Sequence, residues 1–126
     1  MFVTFAVWFY MYVLRIGHMR AKKIHPEQLK LAGREADELL KEVDGPSDNL
    51  VNLFEMPVLF YVAAFAMVAL RMDDSLSLGL AWGFVGFRAL HSLIHCTYNR
   101  VMHRFLAYAI SSLLLLGLWA RIATAI

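Results

Sequence analysis

The 126-residue sequence predicts an all-α integral membrane protein, an up-and-down bundle of four helices. Hydrophobic residues make up 60% of the chain and its mean hydropathy is +0.58, values too apolar for an ordinary soluble domain. Apolar stretches alternate with short polar turns, and one long polar segment separates the first stretch from the second. The expected spans of a single transmembrane domain (1–126) cover about residues 1–18, 49–70, 75–99 and 104–126, with residues 19–48 as a connector.

The net charge argues against nucleic-acid binding, and the cysteine count excludes a disulfide within the chain. The formal net charge is only +2, so nucleic-acid binding has no electrostatic basis. The single cysteine, Cys96, excludes an internal disulfide.

The first apolar run, residues 1–14, is short for a membrane span. As a helix it would extend about 21 Å, less than the hydrocarbon thickness of about 30 Å. A peripheral amphipathic helix is therefore one interpretation. The favoured one is a transmembrane helix that continues to His18, with the Arg15 side chain reaching the interface.

The polar segment, residues 15–48, determines the predicted topology. It holds seven of the twelve Lys and Arg residues and seven of the ten acidic residues. A short amphipathic helix around Leu39–Val43 is expected to end at Gly45-Pro46. We expect the chain to turn again at residues 100–103. The positive-inside rule puts the polar segment 15–48 and the basic residues at 100–104 in the cytoplasm, with both termini on the opposite side.

Turn and capping signals separate the remaining spans. Ser47 or Asp48 is expected to cap the second span, and Pro57 to bend it. Asp73 or Asp74 is expected to cap the third span after a tight turn.

The third predicted span carries a stripe of polar residues, which indicates a functional site. At 100° per residue, six residues fall within an arc of roughly 100°: Arg88, His91, Ser92, His95, Asn99 and Met102. An ionisable side chain in a bilayer costs roughly 2.5–3.5 kcal/mol, so such residues normally face protein, water or a ligand. The stripe therefore predicts a binding site.

Glu55 lies about 10 Å inside the second span and Arg88 about 16 Å inside the third, counted from the same side. These depths allow an ion pair, which could simply fix the register of the helices. Asn52, His91, His95 and Arg104 are not explained by that pair, and they favour a pocket for a polar, anionic ligand.

A metal site is a weaker alternative. His91 and His95 have the i, i+4 spacing of two ligands on one helix face, and Glu55 or His103 could be a third. The H-E-x-x-H pattern is absent and Arg88 would repel a cation, so no metal is predicted. We expect His18, His25 and His103 to be hydrogen-bonded structural groups.

Three local signatures resemble one known family along essentially the whole chain. They are MYV with GHMRAKK at 11–13 and 17–23, NLFEMP at 52–57, and RALHSLIHCTYNRVMHR at 88–104. The sequence resembles the MAPEG family, membrane-associated proteins in eicosanoid and glutathione metabolism. It is most similar to the microsomal prostaglandin E synthase-like branch and its bacterial relatives.

The resemblance implies a homotrimer of four-helix subunits with glutathione as cosubstrate, held between neighbouring subunits near the cytoplasmic face. By position, it implies a glutathione site formed by Arg20, Asn52, Glu55, Arg88, His91, His95 and Arg104. Arg104 matches the arginine that stabilises the glutathione thiolate, which makes it the expected catalytic residue. A tripeptide with two carboxylates and an amine suits arginines and an acid.

The implied function is a membrane-embedded glutathione-dependent transferase or peroxidase acting on lipophilic electrophiles or lipid hydroperoxides, expected in a bacterial inner membrane. Three positions differ from the family pattern. Asp48 stands where several members carry an arginine, which weakens anion binding there, and His95 replaces a frequent tyrosine. Phe105 stands where the prostaglandin synthase has a hydroxyl residue, so prostaglandin synthesis is not expected. The alternative is a non-catalytic membrane protein on the same trimeric scaffold that binds a lipid or a polar ligand.

Overall fold

The computed structural model describes residues 2–24 and 38–126, and the regular structure of these residues is helical throughout. The helices are α1 (Phe2–Ala21), α2 (Gly45–Leu53), α3 (Met56–Ala69), α4 (Ser75–Cys96) and α5 (Val101–Ala125), with a 3-10 turn at Lys41–Val43.

Four helical segments are long and apolar enough to cross a membrane: Phe2–Ala21, Gly45–Ala69, Ser75–Cys96 and Val101–Ala125. This confirms the all-α class with four membrane-length apolar helices, and the chain is an integral membrane protein.

The turn between the third and fourth spans lies earlier than predicted. α4 ends at Cys96 and α5 begins at Val101, whereas the sequence placed the turn at residues 100–103. Asn99 adopts a left-handed conformation (φ 46°), which asparagine tolerates better than most residues. Its backbone N–H donates to the carbonyl of Ile94 at 2.8 Å and closes the end of α4.

The chain forms two compact units, residues 1–51 and 52–126. In the first unit, Arg15 donates to Asp44 Oδ1 at 3.2 Å and to Ser47 Oγ at 3.1 Å. His18 Nε2 donates to the carbonyl of Leu39 at 2.9 Å. Protein groups therefore engage Arg15, which was expected simply to reach the membrane interface, and His18 is hydrogen-bonded as predicted.

A second contact joins the polar end of α1 to the end of the connector. Lys22 Nζ lies 2.7 Å from Glu42 Oε1, and this hydrogen bond, with the charge of Lys22, lowers the pKa of Glu42. His25, another predicted structural histidine, lies outside the described residues.

The second span is interrupted between α2 and α3. Glu55 occupies the N-cap position of α3 with φ −95° and ψ −97°, and its side chain makes no capping hydrogen bond. Pro57 lies in the first turn of α3, where its missing N–H costs little. The bend predicted at Pro57 is confirmed as a break in the helix. α2 begins at Gly45, four residues before the predicted start at Asn49, since Pro46 suits a first helical turn.

The turn between α3 and α4 is defined by its hydrogen bonds. Arg71 is left-handed (φ 53°), and the N–H of Met72 donates to the carbonyl of Met67 at 2.9 Å, the pattern of a Schellman helix end. Asp74 then caps α4 by accepting from the N–H of Ser77 at 3.1 Å and from its hydroxyl at 2.7 Å. Of the two aspartates predicted as caps, Asp74 is the one that caps α4.

The core of the second unit is apolar and lies toward this turn. Its buried members are Ala63, Met67, Phe84, Leu115, Leu118 and Ile122. The rings of Phe60 and Phe84 stack with centroids 4.5 Å apart. A Cβ on Gly83 would lie 3.0 Å from Leu114 Cδ1, so glycine permits the close approach of α4 to α5. The polar residues of α4 lie beyond this core, toward its C-terminal end.

Candidate functional site

The last turns of α4 bury charged and polar side chains. Arg88 is 4% exposed, and His91, Ser92 and His95 are each 3% exposed. Their i, i+3, i+4 and i+7 spacing puts them on one face of the helix. The structure therefore buries this part of the predicted stripe, in a segment of membrane-spanning length.

Arg88 is held by a backbone oxygen and an aromatic ring. Its Nη2 donates to the carbonyl oxygen of Asn52, and its guanidinium carbon lies 5.0 Å from the centroid of the Tyr108 ring. Among the ion pairs of the described residues, Arg88 and Glu55 do not form one. The expected pair is thus replaced by a peptide carbonyl and a ring, and Glu55 lies exposed at the break before α3.

The two histidines are oriented by Arg104. His91 Nδ1 donates to the backbone carbonyl of Arg104 at 3.0 Å. The guanidinium of Arg104 donates from Nη1 to His95 Nε2 at 2.8 Å. Because a guanidinium can only donate, Nε2 of His95 must carry a lone pair. The same Nη1 donates to Asn99 Oδ1 at 3.0 Å, so one arginine bridges the whole turn between α4 and α5.

Several buried atoms of this cluster have no hydrogen-bond partner among the described residues: Arg88 Nε and Nη1, His91 Nε2 and His95 Nδ1. In the neutral rings, the hydrogen bonds already made leave the proton of His95 on Nδ1 and the lone pair of His91 on Nε2. Burying a polar group without a partner costs about 1–3 kcal/mol. The three donors, Arg88 Nε and Nη1 and His95 Nδ1, therefore favour the oxygen atoms of a carboxylate, and His91 Nε2 calls for an N–H or O–H group of the same ligand.

The cluster is less suited to a cation. His91 and His95 have ring centroids 5.7 Å apart, but Arg104 engages Nε2 of His95 and the charge of Arg88 lies one turn away. Over residues 2–24 and 38–126, no group of three or more His, Cys, Asp and Glu side chains is placed to hold a metal ion.

Six of the seven residues predicted to bind glutathione lie in the second unit. Arg88, His91, His95 and Arg104 are joined by the contacts above, and Asn52 joins them through its carbonyl. Arg20 belongs to the first unit, where it is exposed in the last turn of α1.

Tyr108 is the member of the cluster that sequence reasoning missed. Its ring lies beneath Arg88, and its centroid is 5.8 Å from that of His91. One signal was present, since Tyr108 follows Arg104 by four residues and so shares its face of α5. His103, the remaining predicted structural histidine, lies at the edge and pairs with the hydroxyl of Tyr98 at 3.1 Å.

Four membrane-length helices, the third of which carries a buried arginine–histidine cluster, define an integral membrane protein with a buried polar cluster. The MAPEG family model matches residues 1–124, and the chain belongs to the MAPEG family. Comparisons with curated proteins and with solved structures found no match.

Proposed function

We propose that this protein is a glutathione-dependent transferase or peroxidase of the membrane, acting on lipophilic electrophiles or lipid hydroperoxides. Membership of the MAPEG family supports the class of reaction. The observation that carries the proposal is the set of unpartnered buried atoms on Arg88, His91 and His95, which suits a carboxylate-bearing ligand.

Each group of the cluster has a proposed role. Arg88 and the protonated Nδ1 of His95 would donate to a carboxylate of glutathione, and Glu55 would accept from its amine. Asn52 would contribute a further polar contact, and only the family resemblance supports a role for Arg20. Arg104 would lie beside the sulfur and stabilise the thiolate with its positive charge.

The chemistry then follows from the thiolate. In a transferase, the sulfur attacks an electrophilic carbon, a C–S bond forms and the leaving group takes the electron pair. In a peroxidase, the sulfur attacks the terminal oxygen of a hydroperoxide and an alcohol leaves. A second glutathione then yields the disulfide and water. The lipophilic substrate would enter from the bilayer, where its concentration is highest.

The assembly and orientation belong to the same proposal. A homotrimer would cover polar groups that a single chain exposes, such as Glu55 and Arg20. The connector, residues 19–48, and the turn before α5 would face the cytoplasm of a bacterial cell by the positive-inside rule. Within the family, the three local signatures suggest the microsomal prostaglandin E synthase-like branch.

One observation favours a non-catalytic alternative, a MAPEG scaffold that binds a lipid or polar ligand without turnover. Nη1 of Arg104 is already committed to His95 and Asn99, as a purely structural arginine would be. Catalysis by Arg104 would then depend on its remaining N–H groups.

A thermal-shift measurement in detergent tests ligand identity. Glutathione and S-methylglutathione should both raise the melting temperature, because both carry the two carboxylates, whereas cysteine and coenzyme A should not. Arg88→Met should abolish the shift. No shift with glutathione at millimolar concentration would contradict the proposal.

A further inference from the structure

A second candidate site lies at the turn between α3 and α4, at the other end of α4 from the histidines. An apolar groove of about 500 Å³ runs between the two helices, and a polar cleft of about 340 Å³ lies between the turn and the end of α5. Arg71, Met72 and Asp73 line both, so the groove and the cleft lie on either side of the same turn.

The groove has the chemistry of an acyl-chain site. Its walls are Ala64, Met67 and Val68 from α3 and Leu78 and Ala81 from α4. From Ala64 to Arg71 the helix rises about 10 Å, which carries the groove from the interface into the hydrocarbon region. Water finds no hydrogen-bond partner on these apolar walls, whereas the upper part of a lipid acyl chain can fill the groove.

The polar cleft contains one ion pair that is already satisfied. Arg121 Nη2 lies 3.2 Å from Asp74 Oδ1, and Asp74 also accepts from Ser77. Arg71 and Asp73 are both exposed, and neither side chain has a hydrogen bond or ion pair to another described residue. One free positive charge and one free negative charge thus stand two residues apart at the mouth of the groove.

We infer that this turn binds a phospholipid with a zwitterionic, primary-amine head group of the phosphatidylethanolamine type. Arg71 contacts the phosphate, Asp73 accepts from the ammonium, and one acyl chain occupies the groove between α3 and α4. An anionic phosphatidylglycerol lacks the cation that Asp73 requires. A phosphatidylcholine carries a cation without an N–H to donate. This site is independent of the proposed glutathione chemistry.

Native mass spectrometry in detergent tests the inference with phosphatidylethanolamine, phosphatidylcholine and phosphatidylglycerol of identical chains. The expected retention is highest for phosphatidylethanolamine and lowest for phosphatidylglycerol. Arg71→Gln should weaken retention of phosphatidylethanolamine about fivefold, the factor expected for one basic contact at a membrane surface. Asp73→Asn should remove the preference over phosphatidylcholine while leaving phosphatidylcholine bound.

Two further variants separate the head group from the groove. Ala64→Phe should fill the groove and lower retention with both charges intact, and soluble glycerophosphoethanolamine should compete poorly because it lacks the chain. Arg100→Gln removes an exposed arginine at the other end of α4 and should change nothing. Equal retention of all three lipids, or equal effects of Arg71→Gln and Arg100→Gln, would overturn the inference. The inference would also be overturned if a second copy of the chain covered the groove and excluded all three lipids.

Discussion

The guanidinium of Arg104 donates a 2.8 Å hydrogen bond to Nε2 of His95 across the turn between α4 and α5. The same nitrogen reaches Asn99, and the carbonyl of Arg104 accepts from His91. Arg104 therefore links α4 to α5 while its charge stays beside the buried cluster.

We therefore predict that Arg104→Ala destabilises the protein as well as impairing chemistry. Loss of a hydrogen bond to a charged group costs about 1.5–3 kcal/mol. Arg100→Ala removes the same charge from the same turn, where the side chain makes no capping bond, and should cost less than about 0.5 kcal/mol. Unfolding of both variants in detergent measures the difference. Equal losses would mean that the Arg104–His95 contact contributes nothing to stability.

Arg88 is predicted to be coupled to Tyr108 more strongly than to Glu55. The guanidinium lies over the Tyr108 ring, and a desolvated contact of this kind contributes about 2 kcal/mol. A double-mutant cycle with Arg88→Met and Tyr108→Leu should be non-additive. The matched cycle with Glu55→Gln should show a smaller coupling, because Glu55 is exposed and acts on Arg88 only through its charge, without an ion pair among the described residues. A larger coupling in the Glu55 cycle would reverse this assignment.

The four spans could be predicted from the sequence because membrane length and hydropathy depend on the sum of many residues. The face of the polar stripe was predictable for a similar reason, since the helical period fixes which residues of α4 lie together. The contacts that the residues of the stripe make could not be predicted. The sequence placed Asn52 in the site, but Arg88 binds its backbone carbonyl, and since every residue carries a carbonyl, no side-chain pattern could predict this contact. The Arg104–His95 contact depends on where the turn lies, and the left-handed Asn99 moved that turn by several residues.

The ion pair between Asp74 and Arg121 should make the stability of the protein depend on pH. Hydrogen bonds from the hydroxyl and N–H of Ser77, followed by the charge of Arg121, lower the pKa of Asp74 from its ordinary value of 3.8 to about 2. A carboxyl whose pKa is lower in the folded chain stabilises the fold above its unfolded pKa. That stabilisation should be lost as the pH falls from about 3.8 to about 2.

Melting temperatures recorded from neutral pH down to this window check the prediction. Asp74→Asn keeps an oxygen that can cap α4 but has no charge to lose, so its melting temperature should fall less steeply than that of the wild type. Other acidic residues titrate equally in both proteins and cancel in the comparison. Parallel curves would show that Asp74 does not carry this part of the acid sensitivity.

Arg104 is proposed to stabilise the thiolate of glutathione bound to the buried cluster. Thiolate absorbance of bound glutathione at neutral pH tests this directly, with S-methylglutathione as the blank, in the wild type and in folded Arg104→Gln and Arg100→Gln. We expect a thiolate signal in the wild type and in Arg100→Gln. In Arg104→Gln we expect little or no signal and turnover about 100-fold lower. Glutathione that binds the wild type without any thiolate signal, or an undiminished signal in Arg104→Gln, would contradict the role of Arg104.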